Sequence, residues 1–235
     1  MRTVLSIFVK EFRGYFVSPI AYIVISIFLL ITGWFYFTTF FLVDQANLRN
    51  FFQMLPFVFS FVVPAVTMRL FAEERHVGSY ELLLTLPVTT RQVVLGKFFA
   101  GLAFVAALLA PTLLYAATVG MLGEMDWGPV AGGYFGALLL GGAFCAVGLF
   151  ASSLTRNQIV AFIIGTAICY GLTLIDRVLF FLPQTLLGFF HFLGIDSHFQ
   201  NVAKGIIDSR DIVYFLSLMF VGLYATHLAM EGKNR

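Results

Sequence analysis

The densest polar chemistry in this chain sits in one stretch: Glu73, Glu74, Arg75 and His76, then Gly78, Ser79, Tyr80 and Glu81, then Leu82, Leu83, Leu86 and Pro87. Charges ahead of a leucine-edged turn suit docking rather than bond breaking, because paired charges set register and an apolar edge fills a groove. Gly78-Ser79 predicts a helix start, residues 80–86 supply two turns, and Pro87 forces a stop. Leu82, Leu83 and Leu86 share one edge, with Ser79 and Glu81 elsewhere on the surface. A two-turn helix is marginal alone, so packing must hold it, with one side on the rest of the chain and the other on a partner. The plainer reading of the same residues, a connector that only turns the chain round, stays open.

Other polar groups point less clearly to chemistry. His191, Asp196 and His198 are metal-ligand types, but they lack helical i, i+4 spacing and read as interfacial side chains. Asp176 and Arg177 are neighbours in sequence and do not face each other on a helix; they read as an anchor near the headgroups. His227 reads as structural. No paired carboxylates fall at membrane depth, and no G-x-x-x-x-G-K-[ST] phosphate loop occurs. The Gly-Lys pairs at Gly96-Lys97 and Gly232-Lys233 lack the rest of that motif. The expectation is a chain with no catalytic residues, no metal, no cofactor of its own and no nucleic-acid partner.

The elements that must position the polar stretch are membrane spans. The chain has 235 residues, of which 60% are hydrophobic and 11% charged, and its mean hydropathy is +0.94. A soluble domain carries roughly 25% charged residues. At ~20 apolar residues per span the length allows about six helices and a single all-α transmembrane domain over residues 1–235. Start signals place the spans near 19–43, 50–70, 89–122, 129–153, 155–175 and 208–230. The signals are Ser18-Pro19, Asn50 with Gln53, Thr89 with Gln92, Pro129, Thr155 with Gln158, and Asp208 or Ser209. Residues 1–17 form an amphipathic interfacial helix. Val4, Leu5, Phe8, Phe12, Tyr15 and Phe16 share one face, Arg2, Lys10 and Arg13 belong to the opposite one, and only Glu11 intrudes on the apolar side. Cys145 and Cys169 fall in apolar runs and read as packing residues.

Basic residues set the orientation. Ten of the fourteen fall on the termini, the 69–97 connection and the 154–157 turn; Arg49, Arg177, Lys204 and Arg210 fall on the other side. Both termini and the polar stretch at 73–88 are therefore expected in the cytoplasm. No Asp, Glu, Lys or Arg lies between the interfacial ends of the six apolar runs, which argues against a proton relay or ion-coupled transport. The glycines of the fourth span predict close helix packing. Phe37, Phe41, Phe57 and Phe61 sit among aromatics at the outer ends of the first two spans; an interfacial belt and a hydrophobic outer gate are both open readings. Residues 176–209 are apolar but broken by Pro183, Gly188, Gly194 and Gly205, and predict outer re-entrant helices.

These motifs carry a family resemblance. Phe71-Ala72-Glu73-Glu74-Arg75, Gly78, Glu81-Leu82-Leu83, Leu86-Pro87-Val88 and Gly96-Lys97 resemble the signature of permease subunits of type 2 ABC exporters. The run Lys204-Gly205-Ile206-Ile207-Asp208-Ser209-Arg210-Asp211-Ile212-Val213-Tyr214-Phe215 resembles what the subgroup of gliding-motility and nitrous-oxide-reductase-maturation permeases carries before the last span. The resemblance implies that residues 73–88 are a coupling segment contacting a separate ATPase subunit, present in two copies, which binds the ATP and Mg. It also implies a second permease copy or a homologous permease, an accessory membrane or periplasmic subunit as a further candidate partner, and residence in a bacterial inner membrane. The expected activity is export of a lipidic or hydrophobic substrate. The rival is a force transmitter that acts on a periplasmic or envelope partner and moves no solute.

Overall fold

Apolar segments this long must be helical in lipid, where each backbone N–H and C=O has to find its partner within its own segment. The computed structural model describes residues 2–43, 47–78, 88–178, 192–206 and 208–232, with the backbone alone at Arg2, Phe41, Val43 and Val178. Helix α1 covers Arg2–Val17, α2 Pro19–Val43, α3 Arg49–Thr67, α4 Arg69–Val77 and α5 Thr90–Leu109. Helix α6 covers Leu113–Leu122, α7 Trp127–Leu154, α8 Gln158–Val178, α9 Ile195–Ala203 and α10 Ser209–Glu231. Among the described residues, six stretches are long and apolar enough to cross a membrane: α2, α3 with α4, α5 with α6, α7, α8 and α10. The chain is an all-α, multi-pass membrane protein.

Capping shows where the sequence signals acted. Ser18 Oγ accepts the Ile20 N–H at 3.4 Å, Thr89 and Gln92 form a reciprocal capping box, and Asp208 accepts the Arg210 N–H at 3.0 Å. Three predicted starts move. Helix α3 begins at Arg49, whose N–H goes to Asn47 Oδ1 at 3.2 Å, so the start lies ahead of Asn50. Helix α7 begins at Trp127 because Asp126 accepts the Gly128 N–H, ahead of Pro129. At α8, Asn157 Oδ1 accepts the Ile159 N–H at 2.9 Å, while Thr155 Oγ1 holds Asn157 N–H at 3.1 Å. Short Asn and Asp side chains reach the free amides of a first helical turn. The third span breaks into α5 and α6 at a 3-10 turn, Ala110–Thr112, since Pro111 has no N–H to continue the ladder.

Helix α7 is the central one: 78% of its most apolar window is buried, against 22% for those of α2, α8 and α10. Its glycines permit this. A Cβ at Gly148 would overlap the Thr67 side chain, and one at Gly142 would lie 2.6 Å from the Met219 methyl, so α3 and α10 both reach the α7 backbone. Cys145 and Cys169 are buried and free.

Two regions depart from expectation. Helix α1 lies along α5 and buries Tyr15 with Ile7, Phe8 and Phe12 against the core, whereas Leu5 is exposed. The packed arc runs through Val4, Glu11 and Tyr15, so Glu11 belongs to the protein-facing side. At the bundle end remote from the termini, Asp196 and His198 are buried rather than interfacial. His198 Nδ1 is 2.6 Å from Asp211 Oδ1 and its Nε2 is 3.2 Å from the Phe192 carbonyl. Asp176 accepts the Ser197 N–H at 2.9 Å and Arg177 approaches Asp196 at 3.6 Å, so this pair ties α9 to α8 instead of only anchoring a helix end. His191 and the rest of 179–191 lie outside the described residues.

Candidate functional site

At the end that holds α1 and the last turn of α10, three helices meet on one lysine. Lys97 sits beyond the second turn of α5, and its side chain is 1% exposed. Its Nζ stands 2.9 Å from Glu11 Oε1 of α1, 2.9 Å from Glu74 Oε1 of α4 and 2.7 Å from the Leu70 carbonyl oxygen. An ammonium has three donors, and all three are engaged. The Phe71 ring lies 5.2 Å from Nζ, and Lys10 approaches Glu74 from the exposed side at 4.0 Å. Desolvating a lysine costs several kcal/mol unless partners answer it; two carboxylates and a carbonyl do so here.

Local sequence builds this junction. Gly96 brings the backbones of α5 and α1 together, since a Cβ there would lie 2.7 Å from Ile7 Cγ2; Glu11 can then reach Lys97. From the other side, Ser152 of α7 stitches the break between α3 and α4. Its Oγ accepts the N–H groups of Phe71 and Ala72, each at 3.0 Å, and donates to the Met68 carbonyl at 2.7 Å. These backbone groups are buried at an interruption of the helix and need such a partner. Arg75 Nη1 donates to the Ser153 carbonyl at 2.7 Å. Arg69 stacks 4.8 Å over the Tyr15 ring, whose hydroxyl donates to the Val66 carbonyl at 3.4 Å. Burial drives the Tyr15 phenol well above the ordinary tyrosine range.

The polar stretch divides accordingly. Glu74 and Arg75 turn inward to α5 and α7, while Glu73 is exposed and joins Lys10, Arg69 and Val77 in a groove of about 420 Å³ between α1 and α4. Gly78 closes α4 with φ +78°, the left-handed geometry of a helix C-terminus; the helix start expected at Ser79 lies outside the described residues. Ser79, Glu81, Leu82, Leu83, Leu86 and Pro87 lie outside the described residues. The described chain on either side ends with α4 at Gly78 and resumes ahead of the Thr89 capping box.

Of the other predicted residues, Lys10 and Arg13 are exposed on α1, and Arg2 begins α1 with its side chain outside the description. Phe37 packs on Tyr36 and on Tyr115 of α6, at 5.3 Å each. Phe57 and Phe61 instead face Tyr170 of α8, at 6.3 and 5.4 Å, and the Phe41 side chain is not described. The aromatic set thus falls into two separate groups.

The sequence reading missed Lys97, Glu11 and Ser152 as one unit. A signal existed: Glu11 is the only acid on the apolar side of α1, and Lys97 is the only charge between Arg91 and Glu124. Two misfits of opposite sign predict each other.

Residues 5–225 match the family described as ABC-2 family transporter protein. No curated protein matches the chain significantly.

Proposed function

We infer function from one premise: the chain belongs to the ABC-2 transporter family. It is a permease component of an ABC transporter, a multi-pass membrane protein that works with an ABC ATPase subunit. We propose that its termini, α4 and residues 73–88 face the cytoplasm of a bacterial cell, in keeping with the ten-to-four distribution of basic residues. Two ATPase copies, which bind the ATP and Mg, dock on residues 79–87 and on the neighbouring groove that holds Glu73. A second permease copy or a homologous permease completes the transporter, with an accessory membrane or periplasmic subunit as a further partner. By motif the chain resembles the subgroup of gliding-motility and nitrous-oxide-reductase-maturation permeases.

The observation that carries the coupling mechanism is the sharing of Lys97 between Glu11 and Glu74. Closure of the ATPase pair displaces residues 79–87. Helix α4 receives the motion at Gly78, and Lys97 hands it to α1 and α5 together. Ser152 keeps the α3–α4 break satisfied while the angle changes. The tilt of the spans opens a path for a lipidic or hydrophobic substrate, which suits apolar runs poor in charge. Glu74→Ala and Leu82→Asp are expected to leave membrane insertion intact and to separate ATP hydrolysis from transport. Purification in mild detergent, with every co-purifying chain identified, tests the docking. Wild-type coupling and ATPase binding in both variants would reject the assignment.

A second reading rests on α9. The Asp176–Ser197 and His198–Asp211 contacts fasten this helix to α8 and α10, so tilting those spans would drag it. A force transmitter acting on a periplasmic partner would use that movement. A partner chain recovered on residues 183–209, with no solute moved, is the result that would favour it.

A further inference from the structure

The bundle end remote from the termini holds four basic residues, Arg49, Arg177, Lys204 and Arg210. Three of them, from three different elements, converge. Arg49 of α3, Arg177 of α8 and Lys204 at the end of α9 line one cavity of about 370 Å³ together with Gln53, Asp196 and Gln200. The one acid among its described lining residues is already answered: Asp196 Oδ2 lies 3.6 Å from Arg177 and Oδ1 accepts from Gln200 Nε2 at 3.3 Å. Among the described residues no carboxylate comes within 4.0 Å of the Arg49 or Lys204 side chain. Glu124 and Asp126 line the neighbouring cavity with the same two cations, but Asp126 is engaged by the Gly128 N–H and Glu124 stays beyond ion-pair reach. Burial also holds the Asp196 carboxyl above its ordinary range, which disfavours its negative form.

The surroundings indicate what sort of anion fits. The Arg177 guanidinium lies 5.3 Å over the Phe57 ring, and Phe57 leads through Tyr170 to Phe61, which is 48% exposed. A cationic cavity at the ends of two spanning helices, continued down them by a part-exposed aromatic seam, has the form of an amphiphile.

We propose that this cavity binds the phosphate group of an anionic lipid, with its tail on the Phe57–Tyr170–Phe61 seam. Two guanidiniums offer forked donors to phosphate oxygens, Lys204 adds a point charge, and the Gln53 and Gln200 amides can donate alongside. Its assignment to the outer leaflet rests on the orientation proposed above; the binding itself does not.

The test uses the full-length permease purified with its ATPase subunit, stripped of lipid in detergent. Phosphatidylglycerol, phosphatidylcholine or inorganic phosphate is added, and binding is read by native mass spectrometry and thermal shift. Wild type is expected to retain phosphatidylglycerol over phosphatidylcholine. The double variant Arg49→Gln with Lys204→Gln should bind at least about tenfold more weakly, the loss of one charge-assisted hydrogen bond. Neither side chain holds an ion pair among the described residues, so its melting temperature without lipid should match wild type, and Arg49→Lys should recover only part of the affinity, because an ammonium keeps the charge but loses the fork. Phe61→Ala should weaken lipid and leave inorganic phosphate untouched. Inorganic phosphate binding alone, lost in the double variant, would keep the anion site but overturn the lipid as its source. Equal retention of every ligand by wild type and the double variant overturns the proposal. Neither ATP turnover nor transport enters the readout, so failure here is distinct from failure of the coupling mechanism.

Discussion

The two ends of the bundle both bury carboxylates, but they answer them differently. At the end of the termini, one lysine serves acids from two helices while standing on a third. At the remote end each acid has its own donor: Asp176 takes the Ser197 amide and Asp211 takes the His198 ring. A shared cation makes three helices one mechanical unit, because none can move without stranding a charge. Dedicated pairs only fasten one short helix to its neighbours. The first arrangement suits transmission and the second suits a cap.

The sharpest way to break this contrast is Lys97→Met. It leaves Glu11 and Glu74 facing each other without their cation, and removal of one partner from a buried ion pair costs about 3–5 kcal/mol. Thermal unfolding in detergent should show that loss, and ATP-driven transport should disappear. Asp211→Asn is the matched change at the remote end. It should cost about 1–3 kcal/mol, the penalty for a buried polar group losing its partner, while hydrolysis stays coupled to transport. If the second variant uncouples as fully as the first, the two ends do not differ in role.

Ser152→Ala perturbs the same junction without touching its charges. It strips a partner from the Phe71 and Ala72 amides and should cost about 1–2 kcal/mol, with coupling weakened before ATPase binding is. Thr89→Ala removes a capping box at the start of α5 and should cost about 1 kcal/mol, visible as a lowered melting temperature.

Asp196 gives the smallest effect. Burial raises its carboxyl, opposed by Gln200 and Arg177. The folded chain therefore holds a proton that the unfolded chain has already released, and this contribution to stability declines as pH rises through the carboxylate range. Melting temperatures at about pH 4 and about pH 7 should show a flatter trend in Asp196→Asn than in wild type; a steeper one would reverse the sign.

Spans were legible because twenty-residue apolar runs leave few alternatives, and the Thr89–Gln92 capping box was legible because both partners lie within one turn. The starts at Asn47, Asp126 and Asn157 were harder, since several polar residues competed within a few positions and only backbone geometry selects among them. The Lys97 junction joins residues 86 positions apart, and no local pattern reports such a pairing. Gly78 shows a related limit: glycine marks an interruption, but only its positive φ shows that it ends α4. The packed side of α1 was displaced because amphipathicity sees apolar against polar, whereas this helix has a protein side that includes Glu11 and an exposed apolar side that includes Leu5 and Val9.

On this reading of Lys97, α1 and α4 travel as one body when the ATPase closes. Spin labels at Arg13 on α1, Val77 on α4 and Leu228 on α10, all exposed positions, measure it in the assembled transporter with and without trapped ATP. The α1–α4 distance should stay constant while the α4–α10 distance changes, and Lys97→Met should release the first. An α1–α4 distance that changes on ATP binding in the wild type would show that the two helices move separately and that Lys97 does not couple them.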